Sequence, residues 1–491
     1  MEMIDRDLLS IQETRMLISK AKKAQEIYKN FSQEQVDAVV TAMAKAVEKE
    51  AVRLAKMANE ETGFGRWEDK VIKNKFASNV VYDHIINTKT VGIIKDDKEN
   101  KVMDVAVPVG VVAGLIPSTN PTSTTIYKTL ISLKAGNGIV VSPHPNAKNC
   151  IIETAKILNE AAIKAGAPEG LIGCITIPSL EGTNELMKNR DTSLILATGG
   201  EAMVHAAYSS GTPAIGVGPG NGPAFIEKTA DVKLAVKRIL DSKTFDNGVI
   251  CASEQSIVVE ESMKETVIAE LKAQGAYFLN AEESDKLGKF ILRPNGTMNP
   301  QIVGKDVKTL AKLANLESVP SSARVLISEQ CTVGKDNPYS REKLTTILAF
   351  YTVKSVDEAL ELSSKILMNE GKGHTFCIHT NDEEIVKKFA LKIPVSRMLV
   401  NTPGALGGIG GSTGLVPALT LGCGAIGGSA TSANVGPLDL IDIKKVTYGL
   451  RELEDIKGTA AAATTACTEI PEEYLEMIIN KVVEKLASSL K

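Results

Sequence analysis

The chain has 491 residues, with 56 basic and 59 acidic side chains and a formal net charge of −3. That balance gives no electrostatic case for nucleic acid or an anionic membrane surface, and no run approaches the roughly 18 apolar residues of a membrane span. The length suffices for two or three domains, each with its own core. Thirty-nine glycines and only 4% aromatic residues point to an α/β protein packed on Ala, Gly and Val, with loops that approach ligands closely. The seven cysteines (150, 174, 251, 331, 377, 423 and 467) are scattered, odd in number and free of CxxC pairs. They suit a reducing cytoplasm and neither a disulfide scaffold nor a zinc site. Five histidines, none in HxxxH spacing, argue against a metal enzyme. The opening Met-Glu-Met-Ile-Asp-Arg-Asp lacks a basic stretch followed by an apolar run, so no secretory signal is expected.

The first hundred residues read as helical. Ser32 with Gln35 forms a capping-box signature, and Val36, Val39, Val40, Met43, Val47 and Leu54 recur at helical spacing. From Val102 the texture turns strand-like: 102–107, then 110–117, followed by a helix over 124–133. A strand over 138–141, a helix over 147–165, strands over 172–177 and 194–197, a helix near 201–208 and a strand over 213–217 come next. Strands alternating with helices of about ten residues predict parallel βαβ units in a doubly wound sheet. The alternation restarts after Asp231, which predicts a second α/β domain from about residue 229. Gly458–Thr468 is small and uncharged, as a linker would be. Pro471 then opens an amphipathic helix with Leu475, Ile478, Ile479, Val482, Leu486 and Leu490 on one face. Such a helix either docks on its own domain or enters a partner's groove.

Residues 244–256, Thr-Phe-Asp-Asn-Gly-Val-Ile-Cys-Ala-Ser-Glu-Gln-Ser, place Cys251 on a short loop among small and polar residues. A thiol there can act as a nucleophile, with backbone N–H groups nearby to stabilise charge. The string resembles the nucleophile segment of the aldehyde dehydrogenase superfamily, in particular its coenzyme-A-acylating branch. Three further segments match that pattern in order, so the resemblance covers nearly all of residues 10–450. In Ile116-Pro-Ser-Thr-Asn-Pro121, it implies that Asn120 points its amide at the aldehyde oxygen, together with the Cys251 N–H. Ala197-Thr-Gly-Gly200 looks like the cofactor turn, which implies that Thr198, Gly199 and Gly200 meet a pyrophosphate at a helix N-terminus. Ser142, Pro143 and His144 fall at the adenosine-ribose position, Gly218 is a further cofactor-binding residue, and Glu342 matches the glutamate that grips the nicotinamide ribose. Hydrolytic members usually carry a lysine and an acid at the adenosine ribose, where Ser142 and Pro145 stand here; NAD versus NADP therefore stays open.

One absence separates the branches. In Pro213–Pro223, Val217 stands where hydrolytic relatives hold a glutamate base. Water, with a pKa of about 15.7, needs such a base or a metal, whereas a thiol near ~8.5 does not. The resemblance therefore implies coenzyme A as acceptor, with hydrolysis to the free acid as the alternative. His374, in Gly-His-Thr-Phe-Cys-Ile-His379, is either a wall of the site or a structural histidine. Gly422-Cys-Gly-Ala-Ile-Gly427 fits GxGxxG but lacks the flanking strand and helix, and reads as a close-packed wall. The implied fold is that of the aldehyde dehydrogenases: two doubly wound Rossmann-like domains plus a small oligomerisation β-element. The implied layout is a cofactor domain over 1–228, a catalytic domain over 229–423, and a return over 424–457. Residues 458–491 form a linker and helix resembling the encapsulation peptides of bacterial microcompartments. Strands around 101–109 and 444–453 are expected to join protomers of a dimer or tetramer. A short aldehyde such as acetaldehyde or propionaldehyde is the implied substrate, with a semialdehyde or sulfoacetaldehyde as alternatives. A shell or cargo protein is the partner implied for the helix over 471–490.

Overall fold

The computed structural model describes residues 5–457 and 471–489; the linker read at 458–468 and Leu490 lie outside them. Helices Arg6–Tyr28, Gln33–Lys49, Ala51–Thr62 and Trp67–Lys75 open the chain. Ser32 accepts from the Gln35 N–H while the Gln35 side chain accepts from the Ser32 N–H, so two orphan donors of a helix start are satisfied together. Strands β1 (Gly92–Asp97) and β2 (Val102–Pro108) follow. The next five are β3 (Val111–Ile116), β4 (Gly138–Pro143), β5 (Ile172–Cys174), β6 (Thr192–Thr198) and β7 (Ala214–Val217). These five make one parallel sheet in the order β5-β4-β3-β6-β7.

All six residues of β3 and all six of β4 are buried, as expected of parallel strands covered on both faces. Alternate residues feed opposite cores: Val112, Ile139 and Val141 pack into one, Val111, Ala113 and Val140 into the other. The strand order reverses between β3 and β6. In such sheets the ligand crevice opens beyond the carboxyl ends of the strands at that reversal.

The second sheet contains β8 (Gly222–Ile226), β9 (Glu254–Glu260), β10 (Ala276–Phe278), β11 (Val325–Glu329), β12 (Ile347–Val353), β13 (Gly373–His379) and β14 (Val395–Val400). Its order is β10-β11-β12-β9-β8-β13-β14, again parallel throughout. The boundary expected at 229 is corrected by this topology. The chain enters the second sheet at Gly222, because β8 pairs with β9 and β13. Residues 218–221, a Gly-Pro-Gly-Asn run, are all that joins the last strand of one sheet to the first of the other. Both sheets lie within one compact unit, 1–94 with 106–443.

Residues 95–105 and 444–491 form a second unit. Strand β15 (Ile441–Thr447) completes a three-stranded sheet in the order β1-β2-β15, and the Lys445 ammonium pairs with Asp104 at 2.6 Å. In the helix Glu472–Ser489 every residue is exposed. Among the described residues no helix is long and apolar enough to cross a membrane.

Candidate active site

A cavity of about 530 Å³ opens where the fold predicts one. Its walls are the carboxyl ends of four strands: Leu115 and Ile116 on β3, Ser142 and Pro143 on β4, Thr198 on β6 and Val217 on β7. The loop from Val249 to Cys251 closes it from the side of the second sheet. The structure brings Cys251, Asn120, Ser142, Pro143, His144, Thr198, Gly199, Gly200, Val217, Gly218 and Glu342 onto this one surface.

Cys251 sits in the turn immediately before β9 and is partly exposed. Its approach is unusual backbone. Asp246 and Asn247 both take left-handed angles (φ 48° and 51°) inside a short 3₁₀ turn. Such residues cost roughly 1–3 kcal/mol each and persist only when their surroundings over-determine them. Here the clamp is the segment 65–73. The Arg66 N–H donates to Asp246 Oδ1 at 2.7 Å, the Lys70 ammonium to Oδ2 at 3.0 Å, and Lys73 also pairs with Oδ2. The Asp246 N–H in turn donates to Asp69 at 2.9 Å. Gly65 is required, since a Cβ there would lie 2.6 Å from the Asp246 carboxylate carbon. Gly220 is required on the other side: its Cβ would lie 2.6 Å from the Cys251 carbonyl carbon.

Asn120 ends the loop after β3 and precedes Pro121 at the start of the helix Pro121–Lys134. Its side chain does not cap that helix. Instead the Nδ2 donates to the Val249 carbonyl at 3.0 Å, and Oδ1 accepts from the Lys73 ammonium at 2.6 Å. The amide is thereby held beside the residues that lead into Cys251. Lys73 also donates to the Val249 carbonyl at 3.0 Å, and it lines the cavity. Burial lowers its pKa to about 8, against the pull of Asp246.

The thiol is not free to ionise at rest. Burial, then Glu342 and Cys423, push Cys251 up to about 12, while Arg397 pulls the other way. Arg397, on β14, is buried and donates to the carbonyls of Gly422 and Ser432 and to Asn434. With its pKa that high, Cys251 is protonated throughout the neutral range, and its thiolate fraction gains tenfold per pH unit. Alkylation of Cys251 by iodoacetamide, followed by mass spectrometry, is therefore expected to accelerate log-linearly from pH 7 to pH 10. A plateau near the ordinary thiol range would contradict this environment.

Glu342 accepts the Gly220 N–H at 2.8 Å, and burial raises its pKa to about 8. It is the only carboxylate on the cavity wall among the described residues. Val217, the last residue of β7, adds an apolar side chain 4% exposed to the same wall. The surfaces expected to hold a dinucleotide suit one. Thr198 Oγ1 is buried without a partner and lines the cavity. Gly199 and Gly200 lead into the helix Glu201–Tyr208, whose N-terminus has no side-chain cap and is a ready anion site. Ser142 Oγ bonds Thr183 Oγ1 at 2.8 Å, and His144 Nδ1 accepts the Asn146 N–H.

His374 is different. It is fully buried within β13, between β8 and β14, and is absent from the cavity wall. Its Nδ1 meets Thr375 Oγ1 at 2.8 Å, and burial, then Arg397, lower its pKa to about 3, so it is a neutral histidine inside the sheet. Of the two readings of His374, its place inside the sheet and off the cavity wall fits the structural histidine. The GxGxxG segment is a tight loop: a Cβ on Gly422 would lie 2.9 Å from the Ala433 carbonyl and one on Gly427 2.7 Å from that of Lys372. Its own last three residues, Ala425–Gly427, form a 3₁₀ turn rather than the start of a helix. Lys73, Asp246 and Arg397 were not singled out from the sequence. The first two lie 173 residues apart, and no spacing rule connects them.

Comparison with known proteins identifies the family. The family model described as the aldehyde dehydrogenase family matches residues 8–413. A bifunctional aldehyde-alcohol dehydrogenase of Escherichia coli (strain K12) is 47% identical over 442 residues, covering 89% of this chain and 49% of that protein. The chain thus spans about half the length of the first curated relatives it matches. A crystal structure of a probable aldehyde dehydrogenase from Listeria monocytogenes EGD-e superposes with a TM-score of 0.91 at 64% identity, covering 92% of this chain and 100% of that one. An acetylating aldehyde dehydrogenase from Geobacillus thermoglucosidasius gives 0.90 at 53% identity, covering 92% and 99%.

Proposed function

Because the chain belongs to the aldehyde dehydrogenase family, we propose that it is a CoA-acylating member that turns a short aldehyde into its acyl-CoA. The observation that carries the acceptor is Val217. A cavity holding a reactive sulfur offers no carboxylate on the strand end where a water-activating base would stand. The acetylating relative from Geobacillus, similar over nearly its whole length, supports the same reading.

Cys251 reacts as the thiolate, its proton having passed to solvent water, and the sulfur adds to the aldehyde carbon. The carbonyl oxygen becomes an oxyanion, received by the free N–H of Asn120 Nδ2 and by the Cys251 backbone N–H. A nicotinamide dinucleotide, held by Thr198–Gly200, Ser142–His144, Gly218 and Glu342, supplies the hydride acceptor when bound. Loss of hydride leaves an acyl group on Cys251 as a thioester. The thiol of coenzyme A then attacks the acyl carbon, the Cys251 thiolate departs, and one thioester replaces another. Val217 contributes by putting an apolar side chain rather than a base at the end of β7, which leaves water a poor competitor.

The deciding measurement is nicotinamide reduction with acetaldehyde, propionaldehyde and butyraldehyde, with and without CoA. Steady turnover is expected to rise at least tenfold on adding CoA, with acyl-CoA formed in step with NADH. Equal turnover without CoA, with free acid as product, would refute the acceptor. The exposed helix Glu472–Ser489 is assigned to partner recognition within a microcompartment, and the three-stranded sheet of β1, β2 and β15 to association of protomers. Removing residues 458–491 is accordingly expected to leave kcat within about twofold of the full chain; a large loss would return the helix to the catalytic fold.

A further inference from the structure

We propose that Lys73 is a positioning residue for the oxyanion donor: its ammonium dictates which end of the Asn120 amide faces the reacting carbon. This rests on the reading of Asn120 given above, and it adds a residue to the machinery.

An amide has a donor end and an acceptor end of nearly the same shape, and a site that needs the donor must prevent it from flipping. Two neighbours do so here. An ammonium offers donors only, so the atom 2.6 Å from Lys73 Nζ must be Oδ1. The Val249 carbonyl offers an acceptor only, so the atom 3.0 Å from it must be Nδ2. With both ends fixed, one N–H of Nδ2 is left for a ligand in the cavity that Asn120 lines. Lys73 itself is held in place by Asp246 and by the Val249 carbonyl, with the Phe245 ring 5.6 Å from its nitrogen. Lys70 shares the same carboxylate at 3.0 Å, and Asp69 accepts the Asp246 N–H. The left-handed turn at 246–247 places that carboxylate where both lysines reach it. The same bonds tie the donor to the loop that carries the nucleophile. Without the ammonium only the Val249 carbonyl still selects the donor end, and an amide held at one end rotates more readily to present Oδ1, an acceptor, to a developing negative charge.

A double-mutant cycle read by the single-turnover burst of NADH, with acetaldehyde in excess and no CoA, tests this. Lys73→Met is expected to slow the burst on the order of 10²–10³-fold, the usual loss for an oxyanion donor. In the Asn120→Ala background the same change is expected to alter the rate by less than about threefold, because nothing remains to be oriented. Lys73→Gln keeps a donor without the charge and is expected to recover the burst to within about tenfold of the parent. Thermal unfolding midpoints identify which variants fold. An undiminished burst in Lys73→Met, or an equal fall in both backgrounds, would overturn the proposal. Should the methionine variant not fold, a folded glutamine variant as slow as Asn120→Ala would overturn it too, and recovery would support it. The burst precedes acyl transfer, so turnover that proceeds without CoA would sink the acceptor reading and leave this test intact.

Discussion

Replacing Cys251 with alanine is expected to lower NADH formation with aldehyde and CoA by on the order of 10⁴-fold or more, the scale seen when the covalent nucleophile of an acyl-transfer site is removed. Other hydroxyl groups reach the cavity, among them Ser118, Thr119 and Ser123. None can stand in, since an unassisted hydroxyl is far less nucleophilic than sulfur at neutral pH. Cys423 is buried and does not line the cavity. The substitution removes one partly exposed atom, so the fold and dinucleotide affinity should persist, as fluorescence titration would establish. Mass spectrometry after mixing with aldehyde and dinucleotide should find an acyl adduct on the parent and none on the variant. More than about 1% residual turnover in Cys251→Ala would place the nucleophile elsewhere.

Asn120→Ala is expected to lower kcat by about 10²–10³, the loss measured for a single oxyanion donor, with KM for the aldehyde nearly unchanged. An interaction made mainly in the transition state has that signature. A residue at this position would ordinarily cap the following helix, and its loss would cost about 1 kcal/mol of stability. Asn120 makes no such bond, so the unfolding midpoint should stay close to that of the parent. Lys73 would keep Asp246 and the Val249 carbonyl as partners. A proportionate rise in KM, or a midpoint lowered by many degrees, would assign Asn120 to binding or to structure instead.

The five strands of the first sheet were legible because parallel strands buried on both faces read as continuous apolar runs, as in Val111–Ile116 and Gly138–Pro143. The boundary was not. Strand β8 contains Pro223 and begins at Gly222, signals that ordinarily mark a turn, and only its pairing with β9 and β13 assigns it to the second sheet. The cavity residues were reached through short motifs on strand ends, where the crevice of this topology must open. The network behind them was not legible. Nothing in the sequence marks Lys70 and Lys73, on the helix Trp67–Lys75, as buried partners of Asp246, and that aspartate depends on a backbone twist that its own sequence does not announce. His374 was left between two readings for a related reason: a histidine in an apolar strand does not show whether it faces a cavity or the interior of its own sheet.

Val217 closes β7 at the edge of the run that carries the chain from one sheet to the next. Its backbone is pinned by the ladder to β6, while its side chain is among those that line the cavity. On the acyl-transfer reading, the fate of the bound acyl group turns on one side chain mounted on a rigid post. A lineage could then exchange an energy-rich product for a waste acid, or the reverse, by altering a single codon, with no remodelling of the architecture around it.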